Sequence, residues 1–136
     1  MADQQQHDLI KQSRTAWNIW REEHPEVSPD LSGAELKWVD LREVNLSKAN
    51  LSRALLNGAD LSEADLYQAD LSGADLSKAC LRNACLNWAD LSNADLYKAD
   101  LNGAELHKAD LHGTDLSEVN LDEADFDWTF FLSPRE

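Results

Sequence analysis

An all-β solenoid closed at its start by one α-helix is the fold class this sequence predicts. Three observations carry that expectation. Leucine recurs at every fifth residue from Leu31 to Leu121, and phenylalanine takes the same place at Phe126 and Phe131. No insertion breaks the frame, so twenty-one five-residue units follow one another directly. Hydrophobic residues make up 43% of the chain but aromatics only 7%. The apolar content is therefore largely Leu and Ala, which suits a thin repetitive core.

A period of five fits neither regular element. On a helix, five residues advance about 500°, and the leucines would smear around every side. On a flat strand, an odd period sends successive leucines to opposite faces. Both conflicts vanish if the chain turns a corner once per unit. Every Leu then points inward, with the small Ala beside the corner. Coils stacked about 4.8 Å apart pair their backbones as parallel strands do. Each coil touches only its neighbours, as in other solenoids.

The units ADLSE, ADLYQ, ADLSG, ADLSN and ADLYK share the pattern A-[DN]-L-x-x. This pattern resembles the pentapeptide-repeat proteins, over residues 29–133. The resemblance implies a right-handed quadrilateral parallel β-helix with four units per coil. Twenty-one units then make about five coils, a column roughly 25 Å long at the strand spacing. For function the resemblance implies little, because the family covers many roles.

Residues 1–28 do not repeat, and residues 134–136 form a short tail. Leu9, Ser13, Ala16, Trp17 and Trp20 share one side at helical spacing, with Ile10 at its margin. The spacing predicts one helix over residues 4–23, ended by Pro25, which disfavours helical geometry at His24. Such a helix can cover the open edge of the first coil, with Leu9, Trp17 and Trp20 as its capping face. Binding a partner is the other use for it.

Net charge is −14. Direct nucleic-acid binding is not expected, because a binder needs basic charge to displace counterions. An acidic surface suits a basic protein, or simply solubility. Two cysteines make no disulfide framework. The polar start MADQQQHDLIKQ lacks the apolar stretch of a signal peptide, and no run reaches a membrane-spanning length. A cytoplasmic protein without membrane contact is the expectation.

The slot before each central residue holds twelve Asp, two Glu and three Asn, with exceptions at Leu55, Cys80, Cys85 and Phe130. Asp and Asn both bond nearby backbone N–H groups, so the slot is expected to stabilise corners. That need does not explain why Asp outnumbers Asn fourfold. The surplus charge serves solubility or a basic partner. Some pentapeptide-repeat proteins mimic DNA and bind topoisomerases. The repeats here carry roughly one net charge per 2 Å, near the ~1.7 Å of duplex DNA, but the column matches only about seven base pairs.

Cys80 and Cys85 occupy equivalent slots on adjacent sides and are expected to be free thiols, since corner separation exceeds disulfide reach. His107, His112 and Asp127 are the candidates for a metal or acid–base site. Ser32, Ser52, Ser72 and Ser92 form a tolerant outward column. With four units per coil, Lys48, Gln68, Trp88, Lys108 and Trp128 stack in another. Trp88 and Trp128 flanking Lys108 suggest cation–π contact, either internal or as an interaction patch. Phe126, Phe130 and Phe131 either plug the last coil or join two molecules end to end, so monomer and dimer both stay open. The whole reading is a non-enzymatic solenoid, with no cofactor, that presents an acidic surface to an unknown protein partner.

Overall fold

The computed structural model describes residues 2–127. From residue 30 onward the chain is a stack of coils. Parallel bridges run from Asp30↔Asn50 to Glu105↔Asp125, each joining residues twenty apart. Four units therefore close one coil. One side carries Leu31, Leu51, Leu71, Leu91 and Leu111. The second begins at Leu36, the third at Leu41 and the fourth at Leu46.

Each corner is a tight turn. The N–H directly after the outward pair returns to the central leucine, as Ala34 N does to Leu31 O at 3.0 Å. The third residue of every turn from Gly33 to Glu123 is left-handed. That φ, with none positive at the residue before it, is the signature of a type II turn. Fourteen of these corner residues are not glycine, with φ between 57 and 64°. The ladder to the next coil holds most of them there, as Trp38 N donates to Asn57 O at 3.1 Å.

The two residues flanking each acid slot, Ala and Leu, point inward. Central leucines from Leu31 to Leu111 are buried throughout, and most of the alanines with them. The last described coil is less covered: Leu116, Val119, Leu121, Ala124 and Phe126 are half-buried. Trp128, Phe130 and Phe131 lie outside the described residues, and with them most of the plug-or-dimer alternative.

The N-terminal segment is two helices, not the single one expected: α1, Gln4–Gln12, and α2, Arg14–Glu23. Ser13 separates them in an extended conformation, at φ −164° and ψ 129°. Its hydroxyl accepts from Ala16 N at 3.1 Å, which starts a new helix. Serine competes with helical bonding in this way, and a continuous 3.6-residue pattern hides it. The break also rotates α1. Ile10 becomes buried, while Leu9 stays only half-buried. α2 ends before Pro25, as the sequence predicts.

The helices lie across the open edge of the first coil and satisfy its polar groups. Trp17 is fully buried, and its Nε1 donates to Asn45 O at 2.8 Å. Arg21 donates to Asn45 O and Ser47 O, both at 2.9 Å. Arg14 donates to Arg42 O at 2.7 Å and Asn18 to Glu43 O at 3.1 Å. Asn18 also accepts from Asn45 N, and Gln6 from Asp30 N. These are edge groups a further coil would otherwise bond. Trp20 is half-buried, 5.2 Å from Trp17 and 5.2 Å from His24.

Candidate interaction surfaces

The acid slot has a uniform local chemistry. Asp75 Oδ1 accepts from Ser77 N at 3.0 Å and from Ser77 Oγ at 2.6 Å. Asp30, Asp60, Asp70 and Asp90 do the same with the serine two residues on. Asn45 and Asn50 make the same pair of bonds through an amide oxygen. The serine column is thereby a set of donors to the corner, not a row of nucleophiles. Its hydroxyl bond to Asp30 holds that carboxyl below the usual range, helped by the Ser32 N–H. Arg42 does this to Asp40 with two bonds, at 2.9 and 2.8 Å.

Where the slot changes, the corner adapts. Cys80 and Cys85 are free and half-buried. Burial pushes both thiols up, partly offset by the N–H of Arg82 or Asn87, and the acids one coil above and below push the same way. They are less open than an outward slot implies. Leu55 has no acceptor to offer, and Asn57 Oδ1 beside it is buried with no partner in the protein.

The histidines do not converge. His112 Nδ1 lies 2.6 Å from Asp110 Oδ1, on the first side of the coil. His107 is on the fourth side, where its N–H donates to Asn87 Oδ1. Asp127 is twenty residues below it and bonded through its own N–H to Asp125. Among the described residues no three His, Cys, Asp or Glu are grouped to hold a metal ion. No helix there is long and apolar enough to cross a membrane.

Of the aromatic column, Trp88 and Lys108 meet: the lysine Nζ stands 4.7 Å from the ring centroid. Trp128 lies outside the described residues. Sequence reasoning missed Trp38, at 69% the most exposed large hydrophobic among the described residues. Its ring lies against Gly58, one coil on, where an added Cβ would come within 2.2 Å of it. The signal was present in the register: a tryptophan stands twenty residues before a glycine at the same corner.

Stacked four-sided coils with inward leucines and outward polar corners define a β-helical repeat protein. Pentapeptide repeats match the chain in eight copies, over residues 29–58, 49–87 and 84–122. The chain belongs to the pentapeptide-repeat family, and its fold is the right-handed quadrilateral β-helix. A pentapeptide repeat protein from the Arabidopsis thaliana thylakoid lumen is 33% identical, with a TM-score of 0.65, covering 66% of this chain and 63% of that one. Rfr23, from the cyanobacterium Cyanothece 51142, is 29% identical over 84% of this chain and 92% of that one, at TM-score 0.43. HetL, from Nostoc sp. strain PCC 7120 and involved in heterocyst differentiation regulation, is 41% identical over 74% of this chain and 51% of that one, at TM-score 0.42. This chain thus spans about three fifths of the Arabidopsis protein. No curated protein matches it.

Proposed function

We propose that this chain is a non-enzymatic scaffold that presents an acidic wall to a basic protein partner. One observation carries the reading. A corner needs only an oxygen acceptor, and Asn45 and Asn50 supply it as well as any aspartate. The negative charge is then surplus to the fold. It is also preorganised: corner bonds tie one oxygen of Asp70 and Asp90, and leave the other free to meet a cation. Rows of carboxylates spaced one coil apart, about 4.8 Å, offer a rigid target at little ordering cost. The family as a whole consists of structural and binding scaffolds more than enzymes.

The test compares wild type with a variant carrying Asn for Asp at Asp60, Asp65, Asp70, Asp90 and Asp95. Both would be used as bait in extract of the native host, with bound proteins quantified by mass spectrometry. A basic protein retained by wild type, released by salt and lost from the folded variant is the expected result. Equal retention by both would overturn the reading. A topoisomerase among the lost proteins would move it towards DNA mimicry.

A further inference from the structure

We propose that the corner ridge of Trp38, Gly58, Lys78 and Lys98 docks an acidic peptide segment bearing one ring side chain. This surface adds exposed lysines to a strip that the acidic wall borders at Asp60 and Asp95. The four residues occupy the same corner of four successive coils, as the twenty-residue register requires.

Trp38 is built as a platform. A bulky residue in the left-handed region is costly, yet Trp38 sits at φ 62°. Its ring rests on Gly58, where a Cβ would meet three indole atoms at 2.2–2.4 Å. One ring face is thus seated on the wall, and the side chain remains 69% exposed. Trp88 differs, because Lys108 already covers it. Among the described residues no cation stands over Trp38. Its open face suits a partner's aromatic or proline ring, as exposed tryptophans at interfaces do.

The lysines next to it are available. Lys37, Lys78 and Lys98 are exposed and form no ion pair among the described residues, although Lys98 Nζ stands 5.4 Å from the ring centroid of Tyr97. Arginines engage three of the neighbouring carboxylates: Arg42 holds Asp40 at 2.8 Å and approaches Asp60 at 3.9 Å, and Arg82 holds Asp100 at 3.1 Å. Asp75 and Asp95 give one oxygen to their own corners. Two flanking acid slots hold Leu55 and Cys80 and carry no charge. Glu35 is the one flanking acid in coils one to four whose carboxylate makes no hydrogen bond or ion pair among the described residues, and it stands two residues before Lys37. Locally, six flanking acids face five cations, of which the three lysines form no ion pair, whereas the chain as a whole is at −14. Screening beyond about 8 Å at physiological salt lets this local balance govern a short ligand. Three lysines are too few to hold a nucleic acid against the remaining acids.

The spacing fits an extended peptide. Lys78 and Lys98 lie one and two coils below Gly58, about 5 and 10 Å. Same-face residues of an extended chain recur about every 6.7 Å, and the flexible lysine stems take up the difference.

The probe is a fluorescein-labelled peptide of one phenylalanine followed by alternating Asp and Glu, titrated by anisotropy at 0.15 M salt with each variant checked for folding. Saturable binding below 1 mM is expected. Trp38→Ala, and Lys78→Glu with Lys98→Glu, should each weaken it at least tenfold. Lys48→Glu with Lys108→Glu makes the same charge change on the opposite corner and should stay within twofold. Absence of binding by wild type, equal loss from both lysine pairs, or equal binding of an Asn/Gln peptide would overturn the proposal. So would equally tight binding of an oligothymidylate. Should Trp38→Ala fail to fold, the two lysine pairs decide alone.

Discussion

Changing Leu81 and Asp75, one slot type each, separates what the repeat needs from what it only carries. Leu81 is fully buried, between Leu61 and Leu101 in the coils on either side. Its backbone is pinned by Leu81 N to Asp100 O at 2.7 Å. The surrounding wall cannot collapse into a void without breaking the ladder. Leu→Ala changes cost about 2–5 kcal/mol depending on such relaxation, so Leu81→Ala belongs in the upper half of that range. Asp75 makes two bonds through one oxygen, to Ser77 N and Ser77 Oγ. Asparagine keeps that oxygen. Losing the charge weakens both bonds but also relieves repulsion from Asp95, in register one coil on. Asp75→Asn should therefore stay within about 0.5 kcal/mol of wild type. Asp75→Ala removes the acceptor and strands the Ser77 N–H, at a cost of about 1–2 kcal/mol.

Urea denaturation followed by circular dichroism reads all three changes on one scale. The expected order of damage is Leu81→Ala, then Asp75→Ala, then Asp75→Asn near wild type. Asp75→Asn as harmful as Asp75→Ala would mean that the corner needs the charge itself. The inference that the acidity is surplus to the fold would then fail.

Deleting residues 1–28 uncovers the Trp17 seat and strips donors from Asn45 O, Ser47 O and Arg42 O; light scattering should show association, and a monomeric truncation of equal stability would refute the capping account. Cys80 and Cys85 should react slowly with a thiol reagent at pH 7, with rates still rising past pH 9.0, the ordinary thiol value, and non-reducing mass spectrometry should find no disulfide. Because their folded values are raised, the thiols contribute stability present below the ordinary value and lost as pH climbs through the folded one. Asp30, Asp40 and Asp115 are lowered, so their stabilisation is present above 3.8 and lost as pH falls further; Asp40→Asn should flatten that acid limb of a thermal-melt series, and an unchanged limb would count against the Arg42 contact.

The coil was legible because it follows from one number. A five-residue period has no solution without a corner per unit, and the inward Leu and Ala then follow from size. The corner function of Asp and Asn was legible too, since a short side chain with an oxygen can do little else there. The helix break was not. Ser13 sits on the apolar side of a 3.6-residue pattern, where it reads as a neutral passenger. Only contact with the first coil shows both helices bonding its edge, α1 through Gln6 and α2 through Arg14, Trp17, Asn18 and Arg21. Trp38 was passed over for a different reason. The column through Trp88 and Lys108 was visible as a chemical pair, whereas Trp38 pairs with a glycine, which offers no side chain to notice.

That difference bears on where function is written in a repeat. Any unit that matches the pattern is explained by the fold, so the informative positions are the departures. Three described units lose the oxygen of the acid slot: those of Leu55, Cys80 and Cys85. Leu55 offers no oxygen to the backbone N–H of Asn57, the bond that Asp75 Oδ1 makes with Ser77 N, a loss the fold alone gives no reason to accept. Two of the three, Leu55 and Cys80, flank the ridge beneath Trp38, where a carboxylate would stand between the lysines and an acidic ligand. Restoring the acid at both, by Leu55→Asp with Cys80→Asp, should repair the corners and raise stability. If the ridge binds an acidic segment, the same change should weaken the fluorescein peptide several-fold. A variant that is more stable and binds equally well would show that the two departures are drift within the repeat, and that the ridge owes nothing to them.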